Sequence, residues 1–255
     1  MTWIGHSSFL LNMKGHTILT DPVFELRVSP IRGIGPKRLA PPGLQRRFLP
    51  RIDTVCISHH HYDHLERTTV IDLSKRFPKI QWIVPYGVGR FLKRWGAQNI
   101  IELKTWEVAS GSVEINATPV QHVSGRGLTD HGTTECCGYI IKGEEKTVYF
   151  VGDTGYHPDY FKEIGKKWSP NLSLIPIGAY EPSQLMQPVH VNPSEAVLIH
   201  QDVGSKMSIA MHWNTFKLTD EPRYNPPFEL FKALEKAKIP PSQFFPMNIG
   251  ETLHF

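Results

Sequence analysis

Four histidines and an aspartate stand within six residues of this chain, inside the segment Ser58–Leu65 with the sequence SHHHYDHL. Neutral imidazoles are the commonest zinc ligands in proteins, and carboxylate oxygens join them in catalytic sites. In an extended stretch His59 and His61 lie on the same side, because they are two residues apart. Where the chain then turns, Asp63 and His64 can reach a second ion. The segment therefore predicts two ions about 3.5–4 Å apart, the separation used in two-metal hydrolysis.

The intervening residues, His60 and Tyr62, are expected to orient the loop rather than to bind metal. The alternative interpretation is a histidine-rich surface cluster without chemistry. Three features favour the metal site: the segment is internal, it directly follows an apolar strand predicted over Thr54–Ser58, and it contains an aspartate. The sequence thus predicts a metal centre at the end of a strand.

Other elements must bring distant ligands to the same place. β-Branched and apolar runs predict strands over Met1–Gly5, Ser8–Leu11, Thr17–Thr20, Thr54–Ser58, Gln81–Val84, Ser112–Pro119, Gly138–Lys142, Thr147–Val151, Leu172–Pro176, Met207–Met211 and Thr252–Phe255. Helical patterns predict helices over Glu66–Arg76, Gly87–Trp95, Tyr160–Lys166, Pro193–His200 and Pro227–Ala237. The fourth helix has an explicit start, because Asn192 can cap it and Glu195 stands where a capping-box carboxylate belongs. Strands with helices at intervals predict a sheet sandwich flanked by helices.

The composition is that of a globular protein. With 40% hydrophobic and 20% charged residues, the chain is not disordered, and its 255 residues fit one domain over residues 1–255. No apolar run approaches the about 18 residues of a membrane helix, and the N-terminus has no signal-peptide pattern. The segment Pro30–Pro50, rich in proline and glycine, predicts a long irregular loop of the kind that often has a function.

Three cysteines, Cys56, Cys136 and Cys137, indicate a reducing compartment rather than a disulfide framework, so a cytoplasmic location is expected. A soft metal site at the adjacent pair Cys136–Cys137 is disfavoured, because neighbouring side chains on a strand point to opposite faces. The formal net charge is +4, and the basic residues are dispersed. Small basic clusters suit an anionic headgroup or a phosphate substrate but are too sparse for nucleic acid.

Several motifs of the chain resemble those of a known hydrolase family. The motif His59-x-His61-x-Asp63-His64 is similar to the signature of metallo-β-lactamase-fold hydrolases. Across the whole chain, the successive landmarks resemble the catalytic domain of the N-acyl-phosphatidylethanolamine-hydrolysing phospholipase D family and its bacterial members. These landmarks are TWIGHS from Thr2, TDP from Thr20, GPKR from Gly35, PVQH from Pro119, GDTGY from Gly152, PIGAYEP from Pro176 and AMHW from Ala210. The resemblance implies the α+β metallo-β-lactamase fold, an αββα sandwich of two mixed β-sheets flanked by helices.

The same resemblance implies a complete ligand set. His122 joins His59 and His61 on the first ion, His212 joins Asp63 and His64 on the second, and Asp153 bridges the two. The implied cofactors are two divalent metal ions, zinc by resemblance, with iron or manganese as alternatives that suit the same ligands. The chemistry that this implies is attack of a metal-bridging hydroxide on an electrophilic centre.

Catalytic assistance is expected from Asp63 or Asp153, which orient the hydroxide or receive its proton, and from His190 at the substrate or leaving oxygen. Further candidates are His6, Asp21, Tyr180 and Glu181. For Asp21 the alternative is a plain Asp-Pro turn.

The function implied by the resemblance is cleavage of N-acyl-phosphatidylethanolamine to an N-acylethanolamine and phosphatidic acid. Alternatives are a lactonase resembling the ascorbate-6-phosphate lactonase group and a non-enzymatic scaffold of the same fold. The expected partners are a phospholipid or another phosphodiester, with peripheral membrane contact and a homodimer left open and nucleic acid excluded. Relatives carry an N-terminal region before the first strand that helps to form their membrane-facing surface, and its absence here is expected either to affect lipid activity or to mark a fragment. Cys136–Cys137 and Asn214 also depart from the family pattern, near the expected cleft.

Overall fold

The computed structural model describes residues 1–31, 33–127 and 129–255. Its strands are β1 Thr2–Gly5, β2 Ser8–Met13, β3 His16–Thr20, β4 Thr54–Cys56, β5 Gln81–Pro85, β6 Ile100–Leu103, β7 Val108–Ala109, β8 Glu114–Thr118, β9 Gly138–Lys142, β10 Thr147–Phe150, β11 Leu172–Pro176, β12 Ser208–Met211 and β13 Phe244–Pro246. Its helices are α1 Arg67–Arg76, α2 Gly89–Arg94, α3 Pro158–Trp168, α4 Ser183–Met186, α5 Pro193–Asp202 and α6 Asn225–Ala237, with a 3₁₀ turn at Arg46–Phe48.

The strands form two mixed sheets. In the first, with the order β1-β2-β3-β4-β5-β6, strands β1 to β3 are antiparallel and β3 to β6 are parallel. In the second, with the order β13-β12-β11-β10-β9-β8-β7, strands β10 to β13 are parallel and β7 to β10 antiparallel. The parallel strands β4, β11 and β12 are buried along their whole length, as expected for strands covered on both faces.

Two apolar cores make the sandwich. The larger core joins the inner faces of both sheets, through residues such as Phe9 and Tyr139, and continues to α3, α5 and α6. A smaller core packs α1 and α2 against the outer face of the first sheet, through residues such as Leu73 and Leu92. The layers are therefore helices, sheet, sheet and helices, and the predicted αββα architecture is confirmed.

Most sequence predictions of elements are confirmed, with shifted ends. Helix α5 begins at Pro193 behind a complete capping box, in which the Asn192 side chain accepts from the Glu195 backbone N–H and the Glu195 carboxylate accepts from that of Asn192. The segment Pro30–Pro50 is irregular apart from the 3₁₀ turn and two residues in isolated bridges, with Arg32 outside the described residues.

The strand predicted over Thr252–Phe255 is wrong. That segment runs beside β1, where Leu253 N–H donates to Met1 O, but Thr252 forms only an isolated bridge with Thr2. The last strand is β13, which pairs in parallel with β12.

Candidate metal centre

Every predicted ligand follows the carboxyl end of a strand, and these strands run in the same direction. β1, β3 and β4 end before His6, Asp21 and the His59–His64 segment in the first sheet. In the second sheet β8, β10 and β12 end before His122, Asp153 and His212. All these side chains therefore meet at one edge of the sandwich.

The first cluster consists of three imidazoles. His59 Nε2 lies 3.0 Å from His61 Nδ1, and His122 Nε2 lies 3.4 Å from the same atom. The three ligand nitrogens lie within 4.8 Å of one another, so they can share an ion. This geometry brings together His59, His61 and His122, as the sequence resemblance implies.

The second cluster lies beside the first and contains Asp63, His64 and His212. Asp63 Oδ2 lies 3.4 Å from His64 Nε2 and 3.6 Å from His212 Nε2. Between the clusters stands Asp153, whose Oδ2 is 3.1 Å from His64 Nε2, 3.0 Å from His212 Nε2 and 3.9 Å from His59 Nε2. Asp153 thus lies between the two clusters, close to donor atoms of each.

Partners outside the clusters fix the orientation of several rings. His122 Nδ1 lies 2.9 Å from the carbonyl oxygen of Val189, and His64 Nδ1 lies 2.7 Å from Asp21 Oδ2. The hydroxyl of Ser58 lies 2.9 Å from His59 Nδ1 and donates to Asp21 Oδ2. Holding Nδ1 in this way directs Nε2 toward the cluster, which is the usual support of a metal-binding histidine.

The donor set fits divalent metal ions. Buried Nε2 atoms of His64 and His212 and the buried Oδ1 of Asp153 have no hydrogen-bond partner among the described residues. The close contacts of these nitrogens with Asp153 lack hydrogen-bond geometry, as expected of atoms that converge on a common ion. Imidazole and carboxylate together suit zinc, iron or manganese.

The two clusters differ in the pKa values of their imidazoles. Burial and the neighbouring imidazoles hold the pKa of His59 well below its usual value, and burial lowers that of His61 to about 4. Burial also tends to lower the pKa of His64 and His212, but Asp153 and Asp63 outweigh it. The pKa of His64 is therefore raised well above its usual value and that of His212 to about 9. The first cluster is neutral at pH 7, whereas in the second imidazolium balances carboxylate.

His190 lies at the rim of the cleft, with Nδ1 3.9 Å from Asp153 Oδ2 and its ring 5.1 Å from that of His122. Burial lowers the pKa of His190 to about 3, so its ring is neutral near pH 7. Tyr180 and Glu181 have other partners: the Tyr180 hydroxyl accepts from Asn225, and Glu181 accepts from the Ser183 backbone. The structure thus brings His190 to the clusters, whereas the side chains of Tyr180 and Glu181 form hydrogen bonds away from them.

His6 and Asp21 support the clusters directly. His6 Nε2 lies 2.9 Å from Asp63 Oδ2, and its ring packs 4.0 Å from that of His212. Asp21 is fully buried, and its Oδ1 accepts from the Ser58 backbone N–H. The pattern interpretation of Asp21 as a plain turn residue is therefore incomplete, because its carboxylate orients His64.

Sequence reasoning missed Arg126. Its Nη1 donates to the carbonyl oxygens of His60 and Leu65 at 2.8 and 2.7 Å, and its guanidinium lies 3.7 Å from the centre of the Tyr62 ring. Arg126 therefore clamps the ligand-bearing segment from the loop that follows His122. No local pattern marks an arginine that binds carbonyls so far along the chain.

The departures from the family pattern lie near the clusters. Cys136 is half-buried and lines a cavity of about 450 Å³ together with His122, whereas Cys137 is buried. Asn214 has a φ of 58°, the left-handed conformation that asparagine tolerates better than most residues.

Comparison with known proteins identifies the family. The family model described as "Beta-lactamase superfamily domain" matches residues 16–213. The chain belongs to the metallo-β-lactamase superfamily. As a member it is a metal-dependent hydrolase, and its His/Asp clusters are able to bind metal.

Individual relatives of this superfamily member are informative. It is 36% identical to the "N-acyl-phosphatidylethanolamine-hydrolyzing phospholipase D 1" of Caenorhabditis elegans, over 98% of this chain and 74% of that protein. It is 33% identical to the mitochondrial protein of the same activity name from Saccharomyces cerevisiae, over 86% of this chain and 48% of the yeast protein. The crystal structure of an isothiocyanate hydrolase from Delia radicum gut bacteria superposes with a TM-score of 0.78 at 19% identity, covering 100% and 98% of the two chains. That likeness shows the shared fold.

None of the helices in the described parts of the chain has both the length and the apolar composition needed to cross a bilayer.

Proposed function

We propose that the chain is a dinuclear phosphodiesterase of phospholipase D type that cleaves N-acyl-phosphatidylethanolamine. The observation that supports this most is the likeness to the worm phospholipase over 98% of the chain, together with a site that can hold two ions around Asp153. Small basic clusters on the chain suit an anionic phosphodiester.

In the proposed reaction each residue of the two clusters has a role. His59, His61 and His122 would hold one ion, Asp63, His64 and His212 the other, and Asp153 both. When bound, the ions lower the pKa of water and neutralise the charge that develops on a phosphoryl oxygen. The water oxygen forms a bond to phosphorus, and the bond from phosphorus to the N-acylethanolamine oxygen breaks.

Protons in this scheme are moved by the side chains of the site. Asp63 and Asp153 orient the attacking water, and one of them accepts its proton. His190 donates a hydrogen bond to the phosphoryl or leaving oxygen. The N-acylethanolamine oxygen takes up the proton that the carboxylate accepted from water, so the product departs as a neutral alcohol.

The test is turnover of N-acyl-phosphatidylethanolamine by zinc-loaded protein in H₂¹⁸O, with mass spectrometry of both products. The expected outcome is ¹⁸O in phosphatidic acid and none in the N-acylethanolamine. Asp63→Asn is expected to lower kcat by at least a hundredfold with a native circular dichroism spectrum. Lactone opening without lipid turnover would contradict the proposed substrate, and elemental analysis without bound metal would contradict the metal site.

A further inference from the structure

The loop that follows β3 exposes apolar side chains to solvent. Arg27 and Lys37 pair through an isolated bridge, and Val28 N–H donates to Pro36 O, so these two stretches run side by side as the arms of a loop. Leu26, Ile31 and Ile34 are 57, 59 and 61% exposed. We call residues 26–31 and 33–37 the apolar loop. Three aliphatic side chains within nine residues of one loop are all more than half exposed, a higher density than the isolated exposed apolar residues that are normal on a protein surface.

A basic cavity lies at the base of the apolar loop. It has a volume of about 400 Å³, and its lining includes four arginines and the aromatic rings of Tyr62, Phe91 and Trp95. The arginines are Arg27, Arg67, Arg94 and Arg126, and we call the space the arginine cavity. Among the described residues no carboxylate forms an ion pair with any of the four.

Two carboxylates also line the arginine cavity, but both are already engaged. Glu66 accepts hydrogen bonds from the backbone N–H groups of Phe24 and Glu25 at 3.0 and 2.8 Å. Glu25 accepts from Thr68, and Arg46 lies 3.9 Å from both carboxylates. Arg126 is occupied by backbone carbonyls, and Arg27 Nη1 donates to the carbonyl oxygen of Gly35 at 2.6 Å. Of the four arginines, Arg67 and Arg94 therefore remain to meet an anion.

Both features lie at the same edge of the sandwich as the metal centre. The apolar loop lies in the connection that follows the carboxyl end of β3, and Arg67 is the first residue of α1, the helix that follows the ligand segment. Tyr62, between His61 and Asp63, lines the arginine cavity. An aliphatic tip beside arginines is the combination that binds an anionic lipid surface, since the tip enters the acyl region while the cations meet phosphate.

We propose that the apolar loop and the arginine cavity together dock the protein on an anionic phospholipid bilayer. The side chains of Leu26, Ile31 and Ile34 enter the interface, and Arg67 and Arg94 hold headgroup phosphates. The metal cleft then opens beside the lipid layer. For the benefit to turnover this rests on the proposed function, whereas the docking itself can be measured without any reaction.

The test is flotation of the metal-loaded protein with vesicles of phosphatidylcholine alone or mixed equally with phosphatidylglycerol. We expect preferential binding to the mixed vesicles that weakens as salt is raised. Arg67→Gln with Arg94→Gln should weaken binding to mixed vesicles on the order of 25-fold, because each basic side chain near an anionic surface contributes about 1 kcal/mol. Leu26→Ser, Ile31→Ser and Ile34→Ser together should weaken binding at least tenfold to both vesicle types.

Matched variants separate docking from general surface changes. Val108 and Leu198 are 48 and 41% exposed on other elements, β7 and α5, and Val108→Ser with Leu198→Ser should leave binding unchanged. Arg51 is exposed just before β4, at the opposite edge, and Arg51→Gln should behave likewise. Circular dichroism and metal content identify any variant that has lost its fold, and single substitutions at the same positions then replace it.

Failure of this proposal differs from failure of the proposed function. Equal binding by wild type and the apolar-loop variant overturns the docking surface, as does a wild type that floats with neither vesicle. A variant that turns dimers into monomers by size-exclusion chromatography and keeps its vesicle binding assigns the loop to a protein interface, and this also overturns the proposal. Docking without hydrolysis of any lipid overturns only the proposed function.

Discussion

His6 is a buried imidazole outside the seven-ligand set, and its position is fixed from three sides. Its backbone N–H donates to Thr215 Oγ1 at 2.6 Å, and its carbonyl oxygen accepts from His212 N–H and from Trp3 Nε1. Burial lowers the pKa of His6 to about 3, so the ring is neutral and Nε2–H donates to Asp63. His6 is therefore a positioning residue for Asp63.

Replacing His6 by asparagine should weaken the second ion selectively. Loss of such a support typically costs about 10–100-fold in metal affinity, and chelator competition should show this for one of the two ions only. His16→Asn is the control, because His16 lies at the edge of the sandwich opposite the metal centre, where its Nε2 forms a hydrogen bond with Thr54 Oγ1 at 2.9 Å. Equal weakening of both ions in His6→Asn would argue for a general loss of structure instead.

The two clusters should also respond differently to pH. The raised pKa values of His64 and His212 mean that, below about pH 9, the second ion must displace protons from these rings. Its affinity should therefore fall as pH falls from 9 to 6, by about tenfold per unit for each proton displaced. His59 and His61 have lowered pKa values, so the first ion should bind equally well over this range.

Calorimetry in buffers of different ionisation enthalpy measures the protons released per ion. We expect release on binding of the second ion and little on binding of the first. Equal release for both ions would show that the charge division between the clusters is wrong.

The structure brings the predicted ligand side chains together, and part of this set could be recognised because it is local in the sequence. His59, His61, Asp63 and His64 form one segment, and the family resemblance supplied the distant ligands. The supporting contacts were not accessible in this way. The carbonyl of Val189 and the guanidinium of Arg126 act through tertiary proximity, which a single sequence does not encode as a pattern.

Among the elements, the loop after β11 depends on a glycine at a close approach. A Cβ added to Gly178 would lie 2.2 Å from the carbonyl oxygen of His212, and neither backbone segment can yield easily. Gly178→Ala should therefore destabilise the fold by about 1–3 kcal/mol, as overpacking does, and displace His212. Urea denaturation measures the first effect, and metal content the second.

Gly111→Ala is the control for that substitution. Its added Cβ would meet only Val113 O, at the ordinary distance of 3.7 Å, and its φ is not in the positive range. Stability within about 0.5 kcal/mol of wild type is expected there. A Gly178→Ala variant as stable as Gly111→Ala would show that the loop can move away from His212.

Strands buried on both faces were the most predictable elements. Leu172–Pro176 was predicted with its observed bounds, because it is apolar except for Ser173 and such a run leaves little ambiguity. The short strands β6, β7 and β13 have few residues to show a period, and they exist through pairing with neighbours. For the same reason Thr252–Phe255 looked like a strand, although its tertiary position gives it only one bridge.

At the scale of the whole molecule, the metal centre joins the two sheets. His59, His61, Asp63 and His64 come from the first sheet, while His122, Asp153 and His212 come from the second. Each proposed ion therefore has ligands from both sheets, and unfolding that separates the sheets must release both ions. Metal binding and global stability should consequently be coupled.

Removal of the metals should lower the melting temperature without changing the fold. An ion present at a thousand times its dissociation constant stabilises the native state by about 4 kcal/mol, and for a chain of this size that corresponds to a shift on the order of 10 °C. Differential scanning calorimetry of the dialysed protein, followed by stepwise addition of zinc, measures it. Asp153→Asn should reduce the shift from both ions, whereas Asp63→Asn should reduce mainly that of the second. A zinc-independent melting temperature, with metal shown to be bound, would mean that the ions do not bridge the sheets, since ligands on one sheet could then hold them after the sandwich opens.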